Sequence, residues 1–139
     1  MKREYKELAL AAQKAKLLAF SPYSKFRVGA AILTENGDIF SGCNIENSSY
    51  GLTICAERVA VFNAISSGAA KFTALAVVSD DYGFTPPCGA CRQVLSDLAG
   101  DIDIVLINSK GRSKILKLAS LLPFAFSRNN LSRSLKTLK

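Results

Sequence analysis

Three thiols and one carboxylate are spaced so that they could share an ion and move a proton. Cys88 and Cys91 form a C-x-x-C pair in Pro86-Pro87-Cys88-Gly89-Ala90-Cys91-Arg92-Gln93, and Cys55 stands in Thr53-Ile54-Cys55-Ala56-Glu57-Arg58. Both stretches read as helix starts. Sulfurs three residues apart at a helix start lie on one side within a single turn. The unpaired N–H groups and positive dipole end of the helix favour thiolate over thiol. Pro87, just ahead of the second helix, loses nothing by lacking an N–H. The chain has no histidine, which excludes Ser-His and Cys-His nucleophilic machinery and any imidazole metal site. A zinc site here has to be built on thiolates. Three of them leave a tetrahedral ion one open position, the arrangement of a catalytic site. Glu57, two residues past Cys55 in the first helical turn, can reach that position without binding the metal and is placed to move protons.

Other readings of the same residues stay open at this level. A C-x-x-C pair also serves redox chemistry, and a free cysteine such as Cys55 is often simply buried. A structural zinc site would need a fourth ligand, which Cys43, in a predicted strand, would have to supply. Charge arithmetic singles out one more residue. A divalent ion with three thiolates is net negative, and a bound hydroxide makes it more so, which opposes deprotonation of water. The helix dipoles offset part of this charge, and Arg58, three residues beyond Cys55, can offset more by hydrogen-bonding a ligand sulfur. A surface or subunit salt bridge is the bland reading of Arg58.

The elements that must position these groups follow from pattern. A chain of 139 residues makes one domain, 1–139. No apolar run approaches the ~20 residues that cross a bilayer, and the mixed-charge start Met1–Glu7 shows no signal peptide, so the expected location is cytoplasmic. Net charge is +7, and every charged residue after Asp103 is basic, from Lys110 through Arg133 and Lys136 to Lys139. These charges are dispersed, which reads as a solvated surface before a nucleic-acid patch.

Tyr5, Leu8, Ala12, Ala15 and Leu18 recur at helical spacing over residues 2–18. Ser21-Pro22-Tyr23-Ser24 breaks that helix. Strands are predicted at 26–34 and 39–45 around the turn Glu35-Asn36-Gly37-Asp38, at 72–79, at 102–107 and as an edge near 114–116. Helices are predicted at 55–67, with Val59, Phe62 and Ile65 as one face, and at 88–98, with a short helical turn reaching Leu122. From Pro123 the tail reads as irregular. Alternating strands and helices predict a three-layer α/β/α sandwich on one mixed sheet of about five strands.

The Cys-Ala-Glu run followed by Pro-Cys-x-x-Cys resembles the zinc nucleoside and nucleobase deaminases, whose general signature includes a three-cysteine variant with a non-ligating glutamate. The similarity is closer to the small homotetrameric cytidine deaminases and runs along nearly the whole chain. It includes Ser21–Ser24 with Phe26-Arg27-Val28-Gly29-Ala30, Gly42-Cys43-Asn44-Ile45-Glu46-Asn47, Tyr50–Arg58, Pro87–Gln93, and Leu121-Leu122-Pro123 with Phe126. The resemblance implies a cytidine deaminase-like fold and hydrolytic deamination of cytidine and deoxycytidine in pyrimidine salvage, with one Zn²⁺ per chain on Cys55, Cys88 and Cys91. Asn44 and Glu46 are implied as ribose-binding residues, Phe26 as a wall of the pyrimidine pocket and Ala56 as a further substrate contact. Ser48 and Tyr50 are implied to enter a neighbouring subunit's site, and Phe126 to cap yet another. Blasticidin-type deaminases share the metal motifs, but the Asn44–Asn47 and Tyr50–Leu52 stretches favour cytidine. A polymer substrate fits poorly with a site completed by three subunits, so neither nucleic acid nor membrane is expected as a partner.

Overall fold

Alternation in the central strands creates two apolar faces, and each face takes its own helix layer. The computed structural model describes residues 1–137, with side chains described through residue 132. In it β1 (Val28–Thr34), β2 (Ile39–Cys43), β3 (Phe72–Ser79), β4 (Asp103–Ile107) and β5 (Ser113–Lys117) form one sheet in the order β2-β1-β3-β4-β5. The β3–β4 pair is parallel and the other three pairings are antiparallel. On one face, Ala31, Leu33, Ala74, Ala76 and Val78 pack under Tyr5, Leu8, Ala9 and Ala12 of α1 (Arg3–Lys16). On the other, Ala30, Ile32, Leu75 and Val77 pack against α2 (Ala56–Ser66) and α3 (Gly89–Ala99). Period-two burial on both faces is what a covered sheet demands, and each fully buried Leu, Ile or Val contributes roughly 1.5–3 kcal/mol. The expected α/β/α sandwich with a mixed five-stranded sheet is the observed fold.

Two close approaches set the helix positions. A Cβ built on Gly29 would lie 2.0 Å from the Ala12 carbonyl oxygen, so α1 can cross β1 only over a glycine. On the other face a Cβ on Gly42 would lie 2.6 Å from the Ala60 nitrogen, which brings α2 tightly onto β2. That contact corrects one expectation. Phe62 and Ile65 do not belong to the packing face of α2, although half-buried Val59 meets β2 at Gly42. The residues turned inward are Ala56, Glu57, Ala60, Val61 and Ala64, while Phe62 is 45% exposed and Ile65 39%. Alanines at 56, 60 and 64 let α2 come this close to the sheet, with Val61 buried among them, while Phe62 and Ile65 turn outward.

Several boundaries also shift. α1 ends at Lys16, so Leu18 is exposed. β1 begins at Val28 because Lys25 adopts a left-handed φ of 61° and Phe26 is held outside the ladder. After β5 the chain makes the short α4 (Leu118–Leu121), and the tail expected to be irregular forms α5 (Arg128–Thr137). Lys139 and the side chains of Arg133 and Lys136 lie outside the described residues.

Candidate metal centre and cleft

The thiols meet because two helices start side by side. After β2, Ile45 exchanges both backbone hydrogen bonds with Ile54 at 3.0 Å, which delivers Cys55 to the N-cap of α2. Cys88 holds the N-cap of α3, behind a fully buried Pro87. Arg92, in the first turn of α3, donates to the Pro87 carbonyl at 2.7 Å and the Leu121 carbonyl at 2.9 Å, which ties this turn to α4. Neither cap side chain makes a capping hydrogen bond to its helix, and the two thiols face each other.

Cys55 Sγ lies 3.8 Å from Cys88 Sγ, Cys88 Sγ lies 3.5 Å from Cys91 Sγ, and all three sulfurs fall within 4.8 Å of one another. Tetrahedral zinc with Zn–S bonds of ~2.3 Å requires S···S separations of about 3.8 Å. The donor set and spacing therefore fit one zinc ion. Among the described residues no fourth metal-ligating side chain joins the group. Cys43 stands apart in β2, half-buried, with its thiol pushed up by burial, so the structural four-cysteine site has no geometry to support it.

The electrostatics single out the first thiolate. Hydrogen bonding with the Cys91 thiol, followed by the Arg58 guanidinium, pulls Cys55 well below its ordinary value; Cys91, fully buried, moves up because it keeps the shared proton. Arg58 Nη2 donates to Cys55 Sγ at 3.5 Å, as its spacing predicted, and its Nε is buried without a hydrogen-bond partner. Glu57 is 5% exposed beside this cluster, and burial is the main cause that pushes its carboxyl up to about 7. A carboxyl near neutrality can both take and return a proton.

The cluster opens on a cleft of about 280 Å³ whose lining includes Phe26, Asn44, Glu46, Cys55, Ala56, Glu57 and Cys88. Seven residues singled out from sequence thus come together in one cavity. Asn44 and Glu46 also have structural duties that sequence did not reveal. The Asn44 amide donates to the Phe26 carbonyl at 2.8 Å and accepts from Val28 N–H at 2.9 Å. Glu46 accepts from the backbone N–H groups of Tyr23 and Ser24 and from the Ser24 hydroxyl, whose hydrogen bond is the largest cause holding its carboxyl below the usual range.

Ser48, Tyr50 and Phe126 do not line this cleft. Tyr50 is 75% exposed and meets Tyr23 edge-on in an adjoining pocket; Phe126 is 58% exposed beside α3, where Gln93 donates to its carbonyl. The lining also holds Ser24, Thr53, Thr85 and Pro86, which the sequence reading left out of the site. Thr85 and Pro86 lead directly into the C-x-x-C pair, and that adjacency was the available signal.

A three-thiolate site at paired helix starts, with a buried glutamate beside it and a mixed sheet behind it, has the form of the zinc-dependent deaminases. Residues 2–107 match the family described as the cytidine and deoxycytidylate deaminase zinc-binding region. The chain is 50% identical to a cytidine deaminase of Sporosarcina psychrophila over 130 residues, 93% of this chain and 96% of that one. It is 35% identical to a blasticidin-S deaminase of Bacillus cereus over 76% of this chain and 81% of that one. A crystal structure of cytidine deaminase from Burkholderia pseudomallei matches with a TM-score of 0.85 at 45% identity, covering 91% of this chain and all of that one. The chain belongs to the cytidine and deoxycytidylate deaminase family. Among the described residues no helix is long and apolar enough to cross a membrane.

Proposed function

We propose that this protein deaminates cytidine and deoxycytidine hydrolytically to uridine and deoxyuridine, releasing ammonia, as a single domain spanning 1–139. The observation that carries this reading is the thiol triangle with Glu57 buried beside it at the floor of one cleft. Cys55, Cys88 and Cys91 would hold zinc, which when bound supplies the Lewis acidity that brings the pKa of water down to about 7. Glu57 takes one proton from the attacking water and delivers it to N3 as oxygen adds at C4; it then takes the remaining proton from that oxygen and passes it to the amine, which leaves as ammonia when the C4–N bond breaks and C4=O forms. Arg58 offsets the negative charge of the ligand set through Cys55. Phe26 and Ala56 flank the pyrimidine, and Asn44 and Glu46 take the ribose hydroxyls with the hydrogen-bonding capacity that their loop contacts leave free.

We place Ser48, Tyr50 and Phe126 in the sites of neighbouring copies within a homotetramer, which is supported by their exposure and their absence from this chain's own cleft lining. The outward apolar face of α2 supplies surface for such contacts. A cytoplasmic role in pyrimidine salvage completes the reading, with no nucleic-acid partner. The test is a loss of cytidine absorbance on zinc-loaded protein, run beside blasticidin S because a relative bears that name. Turnover of blasticidin S with none of cytidine would overturn the assignment.

A further inference from the structure

Adjacent residues at the end of β3 hold two separate stretches of the cleft lining. Asp80 accepts three hydrogen bonds from Arg27: from its backbone N–H at 3.1 Å, from Nε at 3.1 Å and from Nη2 at 3.2 Å. It accepts a fourth from Lys16 Nζ, at the end of α1, at 2.9 Å, and its own N–H donates to the Arg27 carbonyl at 3.3 Å. Its neighbour Ser79, fully buried, lies with its Oγ 2.6 Å from the Thr85 hydroxyl and accepts the Asp81 N–H at 3.1 Å. Arg27 follows Phe26, and Thr85 precedes Pro86 and Cys88. One strand end therefore ties down both the aromatic stretch of the lining and the loop that carries a metal ligand.

The aromatic stretch needs such a tie. Lys25, immediately before Phe26, has φ 61°, a left-handed conformation disfavoured for a residue with a Cβ. Asn44 grips this segment at the Phe26 carbonyl and the Val28 N–H; Asp80 grips the residue between. The Asp80 contacts are a forked arginine pair plus a lysine in a partly buried setting, the geometry in which ion pairs rise above the usual surface value. The carboxyl is held down at about 2, first by its hydrogen bond to Arg27.

We propose that Asp80 is a positioning residue for substrate capture: by holding Arg27 it fixes Phe26 relative to the metal-ligand loop that Ser79 fixes through Thr85. This rests on the cleft being the nucleoside site proposed above. Asp80→Asn turns an amide N–H₂ towards the Arg27 and Lys16 donors and frees residues 25–27, while leaving the Ser79–Thr85 contact and the thiols in place. Loss of ground-state and transition-state contacts alike raises KM and spares kcat.

The experiment compares zinc-loaded wild type, Asp80→Asn, Arg27→Gln and Lys16→Met by steady-state cytidine kinetics, metal content, melting temperature and calorimetric Kd for uridine. Asp80→Asn is expected to raise KM and the uridine Kd by about tenfold, kcat staying within about twofold and zinc retained. Arg27→Gln keeps the backbone N–H bond to Asp80 and should give a smaller rise of the same kind. Lys16→Met removes an ion pair at the same carboxylate without touching residues 26–28, so it should lower the melting temperature and leave KM unchanged. An unchanged KM in Asp80→Asn, an equal rise in Lys16→Met, or loss of zinc in Asp80→Asn would each reduce Asp80 to a structural brace and overturn the proposal. If Asp80→Asn does not fold, Arg27→Gln decides alone, and a wild-type KM there overturns it. Wild-type protein that fails to turn over cytidine sinks the proposed function instead, whereas an active wild type with an unmoved Asp80→Asn sinks only this proposal.

Discussion

The metal end of the cleft and its outer rim are made by opposite means. At the metal end every group comes from two helix starts backed by the core. Cys91 and Pro87 are fully buried, Glu57 nearly so, and the Arg58 Nε is sealed in. Ser48, Tyr50 and Phe126, which the proposed reading places at the rim of neighbouring copies' sites, stand on exposed segments, and Phe124, at φ 53°, is wholly exposed. The reactive centre is thus a property of the single chain. Enclosure of the substrate, on the reading proposed here, is a property of the assembly. Substitutions at the two ends should therefore fail in different ways.

The largest effect belongs to the ligands. Cys91→Ala should abolish activity and zinc retention together, while Cys43→Ala keeps both, measured by metal analysis beside the cytidine assay. Equal zinc loss in Cys43→Ala would break the comparison by drawing β2 into the centre. Next, Glu57→Gln should keep one zinc per chain and its substrate affinity but lose on the order of 10²–10⁴ in rate, the usual share of an acid–base group. Near-normal turnover would remove Glu57 from the proton path.

A smaller loss is expected at Arg58. Arg58→Gln removes the hydrogen bond to the Cys55 sulfur, and groups that support a metal ligand in this way contribute about 10–100-fold in metal affinity or activity. A zinc titration with a competing chelator reads it, and wild-type zinc affinity with wild-type rate would show that the helix dipoles suffice. The smallest effect should appear at the rim. Phe126→Ala should leave zinc and kcat alone and raise KM about three- to tenfold, the value of burying part of a phenyl ring. The change should vanish when the enzyme is diluted into smaller species, followed by sedimentation. A KM that rises in a protein already monomeric would place Phe126 in its own chain's cleft and sharpen the contrast in the other direction.

The features legible in the sequence were those with local causes. The thiol triangle follows from spacing at helix starts, and the inward face of α1 follows from period, because that helix covers the sheet along a single stripe. In α2 the larger apolar residues Phe62 and Ile65 outweighed the alanine stripe at 56, 60 and 64, which is the face that turns inward because Gly42, elsewhere in the chain, lets the helix come close. Asn44 and Glu46 reached the cleft as expected, but their partners Val28, Tyr23 and Ser24 lie sixteen or more residues away and are set by the β1–β2 pairing. The terminal helix does carry a local start signal. Asn130 reaches back to the Ser127 N–H at 2.9 Å, a relative of the capping box.

The two N-caps carry a thermodynamic consequence. Neither Cys55 nor Cys88 caps its helix with a side-chain hydrogen bond, so the first turns of α2 and α3 depend on what joins the thiols. An ion bound only by the folded state stabilises it by mass action, about 4 kcal/mol at a thousand times its Kd. Chelation should therefore lower the melting point and open the first-turn amides of α2 and α3 to hydrogen exchange, while α1, across the sheet, keeps its protection. The reaction centre would then double as the clasp between two helices, and metal supply would govern how much of the chain stays folded.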